Sequence, residues 1–399
     1  MALDEQMAAA LAQRTRRGTR RALHLRDPTH AQTLATLTDF SSNDYLSLAR
    51  DAGLRTRVAE AWRTSEAPLG SGGSRLLDGD SLLHTHTEQA LATYFEAPDA
   101  LLFNSGYDAN VSLLTTLPQP GDVVVYDALV HASMHDGMRA SRAHACVSFA
   151  HNDADALDQV LTELLAAHTP TNVFLAVESV YSMDGTICAL DRLYRVLQKH
   201  VPHADARHIL IDEAHGVGVY GRGGRGVCAA LGMADVPTTR LMTFGKAWGC
   251  AGAVVLCSSL LRDYLVNYAR PLIYSTALPP SQVVAIQAVL DAWQGNDLEA
   301  RQRHVHQLVQ RLHDALQQVG IRPPPRPSLP LPPAPIVPIR HATPKALAAR
   351  LQAAGFLVRA VCYPTVPRDE ERIRICVHAH NTMDEMQALA RVLAWDASL

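Results

Sequence analysis

The sequence predicts a doubly wound α/β domain on a mostly parallel seven-stranded sheet, followed by a smaller α+β C-terminal domain. Three observations predict it. Short apolar, β-rich runs recur seven times between residues 99 and 258, with helical stretches between them. Several of those runs lack polar alternation, as strands covered on both faces do. A proline-dense segment follows, with nine prolines in the 16 residues Pro323 to Pro338, and beyond it a strand, a helix, two strands and a helix are legible. A length of 399 residues also favours more than one unit.

Taken in order, residues 1–50 form an N-terminal segment that opens with MALDEQMAAALAQRTRRGTRRALHL, an Arg-rich helical pattern. That composition suits a transit peptide, and Asp4 and Glu5 argue against one. The large domain is expected over 51–285. Its strands are ALLFNS (100–105), DVVVYD (122–127), ACVSFAH (145–151), NVFLAVES (172–179), HILIDEAH (208–215), RLMTFG (240–245) and GAVVLCS (252–258), and DALDQVLTELLAAH (155–168) has the length and period of a crossover helix. The small domain spans 286–399. Its proline stretch forbids helix and makes an extended surface connector. APIVPIR (334–340), FLVRAVCY (356–363) and RIRICVHAH (372–380) read as strands, TPKALAARLQAAG (343–355) and TMDEMQALARVLAW (382–395) as helices.

Composition excludes several classes of function. The formal net charge is −3, and no basic stripe interleaved with aromatics appears, which disfavours nucleic acid as a partner. No apolar run approaches a membrane span. Seven cysteines are scattered without a C-x-x-C pair, so no disulfides are expected. The closing Ala397-Ser398-Leu399 shares only its leucine with a peroxisomal signal, which leaves the cytoplasm as the expected location.

Lysine usage singles out one residue. Of 36 basic side chains only Lys199, Lys246 and Lys345 are lysine. Lys199 and Lys345 lie on polar helices, whereas Lys246 stands in LMTFGKAWGCAGAVVL, flanked by Gly245 and Gly249 among apolar residues. Such a setting desolvates an ammonium and lowers its pKa, which suits Schiff-base chemistry.

Ligands of doubly wound sheets gather beyond the strand carboxyl ends, so the polar residues closing each run are the next candidates. Asp212 ends one run; it is either a helix cap or arginine partner, or the counter-charge of a cofactor carrying a protonated pyridine nitrogen. Gly216-Val217-Gly218-Val219-Tyr220-Gly221 matches the dinucleotide fingerprint in letters only, because Glu213-Ala214-His215 separates it from the strand. His131 and His135 lie four apart without a third metal ligand, so zinc is not expected, and His131 is either a ring that packs on a planar cofactor or a satisfied interior histidine. His378 and His380 alternate as one face of a strand would. Asn104-Ser105-Gly106-Tyr107 joins a strand to a helix where backbone N–H groups can meet a phosphate. The loop Gly70-Ser71-Gly72-Gly73-Ser74-Arg75 allows a close backbone approach to a ligand, or is a plain turn.

Nine segments in order resemble the α-oxoamine synthase family of fold-type I pyridoxal-phosphate enzymes: FSSNDYLSLA (40–49), PLGSGGSRLLDGDS (68–81), LLFNSGYDAN (101–110), HASMHDGMR (131–139), ESVYSMDG (178–185), IDEAHGVGVYG (211–221), TFGKAWGCAGA (243–253), RPLIYSTALPP (270–280) and RIRICVHAHNT (372–382). The resemblance implies that Lys246 carries pyridoxal 5'-phosphate, Asp212 faces its pyridine nitrogen, His215 and Ser179 lie by its phenolic oxygen, and His131 stacks on its ring. Gly106, Tyr107 and Thr243 are implied on the phosphate side. Ser275 and Thr276 are implied to reach the phosphate of a neighbouring subunit, making a homodimer with shared sites. Asn43 and Arg374 match positions that hold the amino-acid carboxylate, and Ser74 a position that surrounds the Cα substituent. The implied reaction is a decarboxylative condensation of L-alanine with an acyl-CoA, pimeloyl-CoA in the biotin pathway. The alternatives are sister enzymes of the glycine acetyltransferase, 5-aminolevulinate synthase or serine palmitoyltransferase type, an acyl-CoA condensing enzyme of specialised metabolism, and an aminotransferase of the same fold. Trp248 and Arg222 depart from the family pattern, and Trp248, two residues past the lysine, is expected to narrow the pocket.

Overall fold

The computed structural model describes residues 2–23, 36–295, 298–325, 327 and 329–395, so the C-terminal tripeptide lies outside the described residues. A short strand, β1 (Thr38–Asp39), precedes the main sheet. The main sheet holds β2 (Asp99–Phe103), β3 (Val123–Asp127), β4 (Ala145–Phe149), β5 (Val173–Glu178), β6 (Arg207–Asp212), β7 (Thr239–Thr243) and β8 (Ala253–Cys257). Its order is β2-β8-β7-β6-β5-β3-β4, and every pairing is parallel except those of β8.

Apolar residues follow one another in these strands because each face has its own cover. Val123, Val125, Leu175, Val177, Ile209 and Ile211 pack on Leu157, Leu161, Leu193 and Leu197, which come from the helices Ala154–Ala167 and Leu190–His200. The intervening Val124, Phe174, Ala176 and Leu210 pack on Leu114, Met134 and Met138 of the helices Gly106–Thr116 and Ala132–Arg139. Period two along a strand with both faces buried therefore removes the polar alternation.

The link from β7 to β8, residues 244–252, is too short for a crossover of a dozen or more residues, so β8 must return antiparallel. That reversal sets Lys246 just beyond the carboxyl end of β7, on the side where β2, β3, β5 and β6 also end. Gly249 (φ +64) lets the loop press on the N-terminal segment; a Cβ there would lie 2.4 Å from the Ala49 nitrogen.

The remaining strands are β9 (Ile336–Arg340), β10 (Phe356–Leu357), β11 (Arg359–Val361) and β12 (Arg372–Cys376). β11, β12 and β9 form an antiparallel sheet, while β10 pairs in parallel with β1. The Cys376 N–H donates to Phe40 O at 2.8 Å, so residues 38–40 lie between the two small sheets and carry Ser42 to Leu46 toward the main sheet.

Several expectations are corrected here. The run 356–363 is split at Val358, because β10 serves β1 and β11 serves β12. The strand from Arg372 stops at Cys376, and His378 and His380 lie past it, bonded through Nε2 to Ser42 Oγ at 3.0 Å and through Nδ1 to Ser47 Oγ at 2.7 Å. The proline connector has no helix or strand among its described residues before β9 opens at Ile336, and it is more than an embellishment: with His151, Asp184 and Arg372 it lines an open cavity of about 1020 Å³. One expectation stands: residues 216–221 form turns, with the Gly218 N–H donating to Gly224 O at 2.7 Å, and do not open a helix, as a match in letters only requires.

Candidate active site

Asp212 ends β6 on the face covered by the helix Gly106–Thr116. Asn110 Nδ2 donates to its Oδ2 at 2.8 Å, and the Ala214 N–H donates to its Oδ1 at 2.8 Å. A carboxylate offers about four acceptor positions, so this buried anion keeps capacity for a further donor. The same Asn110 amide donates to Ser133 Oγ at 3.0 Å, and Ser133 Oγ lies 2.8 Å from His131 Nδ1. His131 caps the helix Ala132–Arg139 by accepting the Ser133 N–H on Nδ1 at 3.2 Å. Burial holds its pKa below the ordinary value, so the ring is neutral and its proton sits on Nε2.

Lys246 Nζ has no hydrogen-bond or ion-pair partner among the described residues. Desolvation lowers its pKa, with Asp212 and then Glu178 opposing the shift. The two other lysines are used differently: Lys199 pairs with Asp158 at 2.6 Å on the surface, and Lys345 bonds Gly18 O. His215 is buried and pushed well below its ordinary pKa by desolvation, with Lys246 and Arg374 adding to the effect. Its Nδ1 lies 2.7 Å from Tyr45 Oη. Arg374, on β12, donates through Nε to Ser182 O at 2.6 Å and through Nη2 to Asn43 Oδ1 at 3.0 Å. Its Nη1 has no partner among the described residues.

At the start of the helix Gly106–Thr116 the Gly106 and Tyr107 N–H groups meet no acceptor among the described residues, while Ser105 Oγ takes the Asp108 N–H at 3.1 Å. Thr243 borders this helix start, its Oγ1 3.7 Å from where a Gly106 Cβ would be. Its hydroxyl donates to Gly252 O at 3.3 Å.

Nine expected residues thus gather at one set of strand ends: Lys246, Asp212, His131, His215, Asn43, Arg374, Gly106, Tyr107 and Thr243. Ser74, Ser275 and Thr276 form a second group. The Ala277 N–H donates to Gly73 O at 2.8 Å and Asn104 Nδ2 to Thr276 O at 2.8 Å, so the 70s loop and the 275–278 segment make one wall beside the helix start. Ser275 and Thr276 are exposed, and Ser74 Oγ is buried with no partner. Ser179 is apart from both groups. Strand alternation turns it to the opposite face from Asp212, and its buried Oγ lies 2.7 Å from where a Gly216 Cβ would be, beside Glu213. Trp248 is fully buried between Phe95 and Phe244, with ring centroids 6.0 and 4.8 Å away, and so does not narrow a pocket.

Two residues were missed in the sequence. Tyr45 ties His215 to Arg374, and its only sign was a place two residues after Asn43. Glu178, paired across β5 and β6 with Asp212, is a buried acid with no partner for Oε1. Desolvation, then Asp212, pushes its pKa well above the carboxylate range. It stood in a quoted segment, but nothing in the letters sets it against Asp212.

Pyridoxal phosphate fits this arrangement on its own terms. Asp212 retains capacity for a pyridinium N–H, an unpartnered desolvated amine stands ready for an aldehyde, and two unused helix-start N–H groups suit a phosphate. No cluster of His, Cys, Asp and Glu able to hold a metal exists among the described residues, nor any helix long and apolar enough to cross a membrane.

Known proteins resemble this chain over most of its length. The family model for aminotransferase class I and II matches residues 35–393. An 8-amino-7-oxononanoate synthase of Emericella nidulans is 41% identical over 364 residues, covering 89% of this chain and 88% of the relative. An aminoacyl transferase of Aspergillus fumigatus is 35% identical, covering 89% of this chain and 80% of its own. A high-resolution structure of SPT with PLP superposes with a TM-score of 0.83 at 25% identity, over 99% of this chain and 98% of that one.

Proposed function

The chain belongs to the class I and II aminotransferase family, and within it we propose that it works as the 8-amino-7-oxononanoate synthases do, condensing L-alanine with pimeloyl-CoA and releasing CoA and CO₂. It is a pyridoxal-phosphate enzyme of the α-oxoamine synthase kind. One observation carries the reading: Lys246, Asp212, His131, His215 and Arg374 meet at the strand ends of a chain 41% identical to such a synthase.

When bound, pyridoxal phosphate supplies the electron sink that stabilises a carbanion at the amino-acid Cα. Lys246 Nζ, held toward its neutral form by burial, takes the proton from Cα. Asp212 keeps a proton on the pyridine nitrogen, and Asn110 and the Ala214 N–H fix its orientation. Arg374 is already held by Ser182 and Asn43, which leaves Nη1 for the substrate carboxylate. His131, with Nδ1 occupied by the Ser133 N–H, presents Nε2–H to the oxygen that becomes negative when the thioester is attacked. Gly106, Tyr107 and Thr243 hold the phosphate. The exposed Ser275 and Thr276 reach the phosphate of a second copy, which makes the working unit a homodimer. Seven cysteines with free thiols support a cytoplasmic location.

A panel of acyl-CoAs with L-alanine, followed by release of the CoA thiol, tests the assignment. The expected result is turnover with pimeloyl-CoA and alanine. Thiol release with glycine in preference to alanine would move the chain to a sister activity. Amino-group transfer without thiol release would make it an aminotransferase.

A further inference from the structure

The group linking the two halves of the site is Tyr45, which is fully buried at the end of the N-terminal segment. Its Oη lies 2.7 Å from His215 Nδ1, 3.3 Å from Asn43 Oδ1 and 3.4 Å from Arg374 Nη2. Its ring lies nearly parallel to that of His378, with centroids 6.5 Å apart. We propose that Tyr45 is a positioning residue that locks the proton of His215 on Nε2 and relays to it whether Arg374 is holding a carboxylate. The proposal rests on the reading of the site given above.

A guanidinium only donates, so at the Arg374 contact the phenol oxygen accepts. The single phenolic proton is then free for the shorter of the other two contacts, the one to His215 Nδ1. Burial raises the Tyr45 pKa and keeps that proton on the phenol, and burial of His215 keeps the imidazole neutral. A neutral imidazole has one N–H; with Nδ1 accepting, that N–H is on Nε2. With the cofactor held as proposed above, His215 would donate to its anionic phenolic oxygen, whereas the other tautomer would set a lone pair against it. Hydrogen bonds in such a chain strengthen one another, so Arg374 donating to Tyr45 makes the phenol a better donor and Nε2–H a better donor in turn. A substrate carboxylate on Nη1 draws on the same guanidinium charge, weakens the Nη2 bond to Tyr45, and so changes the field at the cofactor oxygen.

Two measurements on the full-length protein test this. The first is the ¹⁵N spectrum of His215. The wild-type chain is expected to show the Nε2–H tautomer with or without cofactor; an Nδ1–H tautomer or an imidazolium overturns the proposal with no variant needed. The second is Tyr45→Phe in the cofactor-loaded enzyme. Loss of one buried hydrogen bond should raise the pH midpoint of the visible absorption band by about half to one unit. It should lower kcat about five- to tenfold and leave KM for alanine within about twofold, since Arg374 keeps Asn43 and Ser182. An unmoved midpoint and unmoved His215 tautomer in a folded Tyr45→Phe protein would show that Tyr45 only fills space. If the wild-type chain takes up pyridoxal phosphate without a visible band, the site reading fails, and the tautomer experiment still decides the role of Tyr45.

Discussion

Two buried glutamates show how differently this molecule treats the same side chain. Glu88 accepts from Arg75 Nη1 at 2.7 Å and Nη2 at 3.2 Å, from Arg262 Nη2 at 2.9 Å and from the Leu102 N–H at 2.8 Å. Glu178 is equally buried, at 3% against 2%, but has an oxygen with no partner and sits beside the anion Asp212. The first acid is satisfied by its own chain and joins the helix Leu82–Tyr94 to β2. The second is unsatisfied, as are the Lys246 amine and the Ser74 hydroxyl. Unmet polar groups at a site where a ligand can complete them are kept at some cost in stability.

Substitutions can break or sharpen that contrast. Lys246→Met should abolish the visible band and lower turnover by about a thousandfold or more. It should also leave the cofactor-free protein at least as stable as the wild type at neutral pH. The lysine pKa is lowered in the fold, so the unfolded chain binds more protons between the folded value and 10.5, and wild-type stability rises with pH through that window. The advantage of the methionine variant should fade accordingly as pH approaches 10.5; a variant less stable at neutral pH would remove the contrast.

Glu88→Ala should do the reverse. It leaves Arg75 without its buried partner and should cost about 3–5 kcal/mol in urea unfolding. Protein that stays folded is expected to keep its kcat.

Ser74→Thr tests the second wall. If that hydroxyl borders the Cα substituent, one added methyl should shift the alanine-to-glycine ratio of kcat/KM toward glycine by about tenfold. An unchanged ratio would make Ser74 a loop residue.

The smallest effect belongs to Glu178→Gln. Its folded pKa is raised, so its contribution is fully present below about 4.5 and is lost as pH rises toward the folded value. The glutamine variant should match the wild type near pH 4 and gain on it, by about 1 kcal/mol or more, on the way to pH 7. Parallel pH profiles would show that Glu178 is ionised in the fold.

The sequence carried the parts of this architecture that depend on local pattern. Doubly covered strands, the apolar, Gly-flanked setting of Lys246 and the helix start at Gly106 are all written in short stretches of residue types. Pairings set by distant chain were not legible. Whether β12 ends at Cys376 or continues to His380 depends on Ser42 and Ser47, more than 300 residues earlier. Ser179 was misplaced because a segment match gives neighbours along the chain and not which face of the sheet each side chain takes. Tyr45 stayed hidden for a related reason: its role comes from His215 and Arg374, which reach it from two other parts of the chain.

The pairing of β1 with β10 fixes an order of events during synthesis. Thr38 leaves the ribosome early, but its partner Phe356 follows more than 300 residues later. At bacterial to eukaryotic elongation rates that is a wait of roughly fifteen seconds to a minute. Throughout it the main sheet can form, since all seven of its strands lie between Asp99 and Cys257. The segment holding Asn43 and Tyr45 can already meet His215 and the Gly249 loop, but it still lacks the strands β10 and β12 that complete its docking surface. A nascent chain would therefore own a folded core before it owned a substrate-binding arginine, and a chaperone acting in that interval would find Thr38 and Asp39 still without their strand partner.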